Sequence, residues 1–236
     1  MFVRKIINAI LSFLKMKIRF PFFARKKKAS YAQGLVIKNP IDHNTKKSMD
    51  CFYGEEKYVA QYLSDDRLEF YKDVISQAHE LEVDFCGKDV VDIGCGTGHL
   101  LLEASKIYNF RKIVGLEYST EALSRAKHLL SKGEFYQYDL YEPFTEQFDL
   151  VFCTEVLEHL LEPRKAMKNI VSMIKPGGVA LITVPEGRAD TFLGHINFWS
   201  PESWKVFIKD STFGKFDCTF QVIGNDTTNL AVIRAL

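Results

Sequence analysis

Apolar and polar positions along the chain fall into alternating periods of 3.6 and 2 from about residue 55 onward. Residues 67–81 (RLEFYKDVISQAHEL), 99–108 and 120–130 carry apolar positions at helical spacing, and Ser119 or Thr120 offers an N-cap to the last. Between them lie short β-branched runs at 88–94 (KDVVDIG), 112–118 (KIVGLEY), 134–140 (EFYQYDL) and 148–154 (FDLVFCT), which predict strands. Residues 155–174 (EVLEHLLEPRKAMKNIVSMI) predict a helix stopped by KPGG at 175–178, followed by a strand at 179–185. SPESWKVFIK at 200–209 starts a helix with a serine cap and proline at its first position. FDCTFQVI (216–223) and NLAVIRAL (229–236) flank the turn GNDTT and predict an antiparallel pair. Strands alternating with helices predict an α/β fold, a largely parallel sheet covered by helices on both faces and made mixed by the closing hairpin.

The first 28 residues differ from this body. Wheeled at about 100° per residue, Arg4, Lys5, Asn8, Ser12 and Lys15 share an arc opposite Phe2, Val3, Ile6, Ile7, Ile10, Phe13 and Leu14. This is a basic amphipathic helix, ended by Pro21 and followed by the charged run ARKKK. Lys15, Lys17 and Arg19 stand where a signal peptide would need small residues. The pattern suits peripheral contact with an anionic membrane surface. The expected organisation is therefore an arm at 1–28, a linker or lid at 29–54 and an α/β domain at 55–236.

Charge sharpens the division. Residues 1–41 hold ten Lys/Arg and no Asp or Glu, which leaves 21 basic against 30 acidic groups in the remainder, a formal −9. An acidic body argues against nucleic acid as a partner. The five cysteines form no CxxC pair, so neither a disulfide framework nor a zinc site is expected, and a reducing, cytoplasmic location follows.

Chemistry concentrates after the strands. Gly94, Gly96 and Gly98 in VVDIGCGTG lie between a strand and a helix, where bare backbone can approach a ligand. Their G-x-G-x-G spacing is not that of nicotinamide dinucleotide binders. Glu117 ends the second strand and can accept both hydroxyls of a ribose; Asp139 ends the third, where it can meet an adenine amino group. In CTEVLEHL, Glu155, Glu158 and His159 have helical i, i+3, i+4 spacing and would share one face. They form an O,O,N donor set for Mg²⁺ or Mn²⁺, with His195 as a further ligand; His159 and His195 are alternatively bases near neutral pH. Phe198, Trp199 and Trp204 supply aromatic surface near the same end, although a core role suits Trp204 equally.

VVDIGCGTG, VGLEYS, YDLYE, FDLVFCTEVLEHL and MIKPGGVALITVPE together resemble the ordered motifs of class I S-adenosylmethionine-dependent methyltransferases, over about residues 70–236. The resemblance implies a Rossmann-like seven-stranded sheet whose last strand is antiparallel. It implies that Asp92 and the glycines hold the methionine moiety, Glu117 the ribose, and Asp139 with Leu140 the adenine. Thr154 and Glu155 would then lie beside the reactive methyl group. E-x-x-E-H is similar to the motif of the ubiquinone-biosynthesis O-methyltransferases, which act with a metal on catechol-like rings, and to that of the small-RNA 3′-end 2′-O-methyltransferases. HINFWSPESW is similar to segments of small-molecule methyltransferases associated with bacterial surface glycans. The expectation is methyl transfer to a hydroxyl of a small-molecule, sugar or lipid-linked acceptor. The alternatives are a metal-dependent methyltransferase of RNA ends and a non-catalytic scaffold of the same fold.

Overall fold

The computed structural model describes residues 39–81 and 83–236. The amphipathic arm lies outside the described residues. Seven strands form one sheet: β1 (Asp89–Ile93), β2 (Lys112–Glu117), β3 (Glu134–Gln137), β4 (Phe148–Thr154), β5 (Ile174–Pro185), β6 (Phe216–Ile223) and β7 (Thr228–Ala235). Their order is β3-β2-β1-β4-β5-β7-β6, parallel except for β7, which runs antiparallel to both β5 and β6. The chain leaves β1 toward β2 and β3, then returns to lay β4 on the other side of β1. That reversal opens a crevice beyond the carboxyl ends of β1 and β4, the place where open α/β sheets bind ligands.

Helices α1 (Pro40–His43), α2 (Lys46–Gly54), α3 (Glu56–Tyr62), α4 (Asp65–His79), α5 (His99–Ile107), α6 (Thr120–Leu129), α7 (Pro163–Ser172) and α8 (Pro201–Ser211) complete the described elements. Every side chain of β1 is buried, as a strand covered on both faces requires. One face packs Val90, Leu150, Phe152 and Leu181 under α4, α5 and α6, and the other packs Val91, Val151, Ile182 and Val184 under α7 and α8. Ser64, Ser119 and Ser200 cap α4, α6 and α8, each hydroxyl accepting a first-turn N–H. Among the described residues no helix is long and apolar enough to cross a membrane.

Three expectations need correction. No helix begins at Glu155: that residue is left-handed (φ 56°), residues Leu157–His159 form a single 3₁₀ turn, and α7 starts only at Pro163. Proline fits a first helical turn and disfavours helix in the residue before it, so Pro163 sets the start rather than the middle of this helix. KPGG likewise does not end an element in a loop, because Ile174 already pairs with Phe148 and β5 runs on through to Pro185. The β3 strand also stops at Gln137, which leaves Asp139 and Leu140 in the following loop.

Candidate active site

The glycine loop is shaped by its neighbours. Gly94 (φ 72°) sits so close to Val156 that an added Cβ would stand 2.4 Å from Val156 Cγ2. A side chain there would collide with the segment leaving β4 and demand an unfavourable backbone. Gly98, also left-handed, is the N-cap of α5 and offers no side chain to cap the N–H groups of its first turn.

Glu117 is anchored from two sides: its Oε2 accepts the Gly96 N–H at 2.9 Å and its Oε1 accepts the Ser119 N–H at 2.8 Å. Each oxygen retains a lone pair for a ligand hydroxyl. Burial pushes its pKa up, against the opposing pull of those backbone donors. Asp92 is buried at the end of β1 with Oδ1 unpartnered by any described residue, and burial, then the nearby Glu117, drives its pKa well up. An orphaned carboxylate oxygen beside a glycine loop fits a cationic ligand group such as an ammonium. Asp139 Oδ1 accepts the Tyr141 N–H at 3.0 Å, which fixes the loop after β3. The Leu140 side chain is packed in the core, so its backbone is what it can present there. Thr154, nearly buried, ends β4 and pairs with Thr183 of β5.

Past Thr154 the turn gathers acids and imidazoles without a helix. The strained Glu155 is held by its N–H to the Thr183 carbonyl (3.1 Å) and by the Thr183 hydroxyl to its Oε1 (3.2 Å). Glu158 is fully buried, and neither carboxylate oxygen has a hydrogen-bond partner among the described residues. Burial, then the charge of Glu155, pushes its pKa well up. His159 Nε2 and His195 Nε2 each lie 3.8 Å from Glu158 Oε1, and donor atoms of the three residues all fall within 4.8 Å of one another.

The two imidazoles are oriented from behind. His159 Nδ1 is 3.2 Å from the Gly194 carbonyl, which can only accept, so Nδ1 carries the proton. Burial and the neighbouring His195 hold the His159 pKa down to about 3, so the ring is neutral and Nε2 keeps its lone pair. His195 Nδ1 lies 2.5 Å from Asp190 Oδ2, which fixes the same tautomer in that ring. Outer partners of this kind are what metal-ligating histidines use.

Several of these residues escape sequence reasoning. Asn197 ties the 3₁₀ turn to the loop bearing His195, donating to the carbonyls of Leu157 (3.2 Å) and Leu160 (2.7 Å). The backbone N–H groups of Ile196 and Asn197 both bond the Glu158 carbonyl. Arg67 of α4 brings a positive charge that lowers the pKa of Glu155 and Glu158 against their burial. His43, from outside the strand–helix pattern, lies against Phe192 and His159 at ring-centroid distances of 5.7 and 6.5 Å. Phe192 is the aromatic beside the histidines, with its ring 4.8 Å from that of His195. Trp204 is instead buried in the core of α8 and stacks with Phe207, while Phe198 is half exposed.

Sheet order, glycine loop and the acids near the carboxyl ends of β1 and β2 together define the fold of a class I S-adenosylmethionine-dependent methyltransferase. Residues 62–213 match the family described as "Methyltransferase domain", and the chain belongs to that family. It is similar to the ubiquinone biosynthesis O-methyltransferase of Dechloromonas aromatica (strain RCB), 31% identical over 118 residues that make up 47% of this chain and 50% of that protein. The corresponding enzyme of Pseudomonas syringae pv. tomato is 37% identical over 99 residues, 39% of this chain and 42% of that one. The chain thus spans half or less of the length of these relatives. Among solved structures, the N-methyltransferase NodS from Bradyrhizobium japonicum WM9, in complex with S-adenosyl-L-homocysteine, superposes with a TM-score of 0.65 at 16% identity. That likeness covers 81% of this chain and 98% of NodS, and it concerns the fold alone.

Proposed function

We propose that this chain transfers the methyl group of S-adenosylmethionine to a hydroxyl of a small or lipid-linked acceptor, beside a divalent-cation site made by Glu158, His159 and His195. One observation carries the reading: a fully buried carboxylate without a hydrogen-bond partner among the described residues, faced by two imidazole Nε2 atoms at 3.8 Å. Isolated buried carboxylates are costly, and a cation would satisfy all three groups at once. One oxygen and two nitrogen donors suit Mn²⁺ better than Mg²⁺. When bound, such a cation lowers the pKa of an acceptor hydroxyl. The similarity to ubiquinone biosynthesis O-methyltransferases supports oxygen as the methylated atom.

The chain's own residues have separable parts in this reading. Glu117, Asp92 and the glycine loop hold the ribose and methionine ends of the cofactor, and Asp139 with the backbone of Leu140 borders the adenine. Thr154 closes the pocket at the end of β4. Displacement at a sulfonium methyl is in-line, so most of the acceleration comes from orientation. Glu155, with its pKa raised by burial and its carboxylate steadied by Thr183, takes the hydroxyl proton. The exposed Leu161, Leu193 and Phe198 flank the turn and loop of the site and suit an acceptor with an apolar part. The basic arm at 1–28 is proposed to bring the cytoplasmic enzyme to the membrane surface. The formal −9 of the body counts against RNA ends as acceptor, and the retained Glu117 and Asp92 geometry counts against a scaffold.

The test is transfer of labelled methyl from S-adenosylmethionine to a dihydroxybenzoate bearing an alkyl tail, in Mn²⁺ and in EDTA. Transfer that needs Mn²⁺ and is lost in Glu155→Gln supports the reading. Transfer undiminished by EDTA would remove the cation from it.

A further inference from the structure

Residues 39–54 precede the family match at 62–213, yet they touch both ends of the crevice. At one end, Asp50 Oδ1 accepts from the Ser119 hydroxyl (2.7 Å) and the Thr120 N–H (2.8 Å), and Ser119 donates its own N–H to Glu117 Oε1. Arg125 Nε reinforces this end by donating to the Tyr53 carbonyl at 2.7 Å, and Tyr53 packs against Ala122 of α6. At the other end, the Asn44 side-chain amide donates to the Gly194 carbonyl at 2.9 Å. The same carbonyl orients His159. His43 presses on this glycine so closely that a Cβ there would come within 2.5 Å of His43 Cδ2. Although its neighbours Ile41 and Asp42 are exposed, His43 is buried.

We propose that residues 39–54 form a clamp across the crevice, with Asn44 and His43 as positioning residues for the loop that bears His195, and Asp50 as the tie to the ribose acid. Two contacts, Glu117–Ser119 and Ser119–Asp50, link the cofactor end to the clamp. The Asn44–Gly194–His159 contacts link the clamp to the acceptor end. Filling the cofactor pocket therefore steadies the acceptor loop. This second half rests on the cofactor reading above, whereas the clamp itself does not.

The experiment is amide hydrogen exchange on the full chain, read at residues 192–197, with and without saturating S-adenosylhomocysteine. Without ligand, Asn44→Ala and Gly194→Ala should each speed exchange at 192–197 relative to wild type. Gly194→Ala reaches the clamp from the opposite side and should also speed exchange at 43–45. With ligand, wild-type exchange at 192–197 should slow at least about fivefold, the lower end of typical couplings. In Asn44→Ala the ligand should bind equally well and slow only the glycine loop. Unchanged exchange in both ligand-free variants overturns the clamp. Equal slowing in wild type and Asn44→Ala overturns the coupling. Failure of wild type to bind S-adenosylhomocysteine would overturn the cofactor reading and the coupling with it, while the ligand-free comparison still decides the clamp.

Discussion

Replacing Glu117 by glutamine removes one negative charge with almost no change of shape, and the structure sets the size of the effect. Both carboxylate oxygens accept a backbone N–H, from Gly96 at 2.9 Å and Ser119 at 2.8 Å. A glutamine retains one acceptor and turns an NH₂ toward the other N–H or toward the ligand hydroxyl. Ribose binding then loses one charge-assisted hydrogen bond, worth about 1.5–3 kcal/mol. That converts to roughly 10- to 100-fold weaker binding, since about 1.4 kcal/mol is tenfold in affinity. The assay is calorimetric titration of S-adenosylhomocysteine into wild type and Glu117→Gln, with thermal melts to confirm that both fold. A folded variant with unchanged affinity would remove Glu117 from the ribose role and the glycine-loop account with it.

Further outcomes follow from other parts of the fold. Asn197→Ala deletes two donors that pin the turn bearing Glu158 and His159, so stability should fall by about 1–3 kcal/mol and Mn²⁺ binding should weaken; an unchanged melting temperature would show that the turn stands without it. Asp89, bonded by Arg111 and Lys175 at the opposite end of the sheet, has its pKa held down to about 2, chiefly by the Arg111 hydrogen bond. A folded pKa below the unfolded one gives stability that is present above about pH 4 and lost as pH falls toward 2. Asp89→Asn should therefore be less stable by on the order of 1–2 kcal/mol at pH 7 after allowance for solvent screening, and urea melts should show the gap narrowing from pH 5 to pH 3. A gap independent of pH would place the effect in packing.

Local patterns made the sheet and most of its helices legible. The β-branched runs of β1, β2 and β4 and the serine caps of α6 and α8 were sufficient, because those elements obey short-range rules. The site was legible by residue type but not by geometry. Glu158 and His159 converge with His195, but Glu155, expected to share one helical face with them, is not in that donor group, because the helical spacing is broken by its own left-handed backbone and by the start of α7 at Pro163. What holds the cluster is tertiary: Asn197 reaches back 37 residues to Leu160, and Asn44 reaches 150 residues forward to Gly194. No period in the sequence encodes such pairs. Asp190 and Arg67 carry no local signal for the same reason, each being an ordinary surface-type residue until the fold sets it near an imidazole or a carboxylate. KPGG reads in the sequence as a stop because proline and glycine break helices, whereas in the fold β5 begins before it, with Ile174 and Val179 pairing with β4 on either side.

The most direct test of the cation site is calorimetric titration of Mn²⁺ into EDTA-stripped protein saturated with S-adenosylhomocysteine, repeated with His159→Ala and Glu155→Gln. The account predicts one ion per chain for wild type, lost in His159→Ala and kept in Glu155→Gln. Absence of binding to wild type, or binding unaffected by His159→Ala, would contradict it.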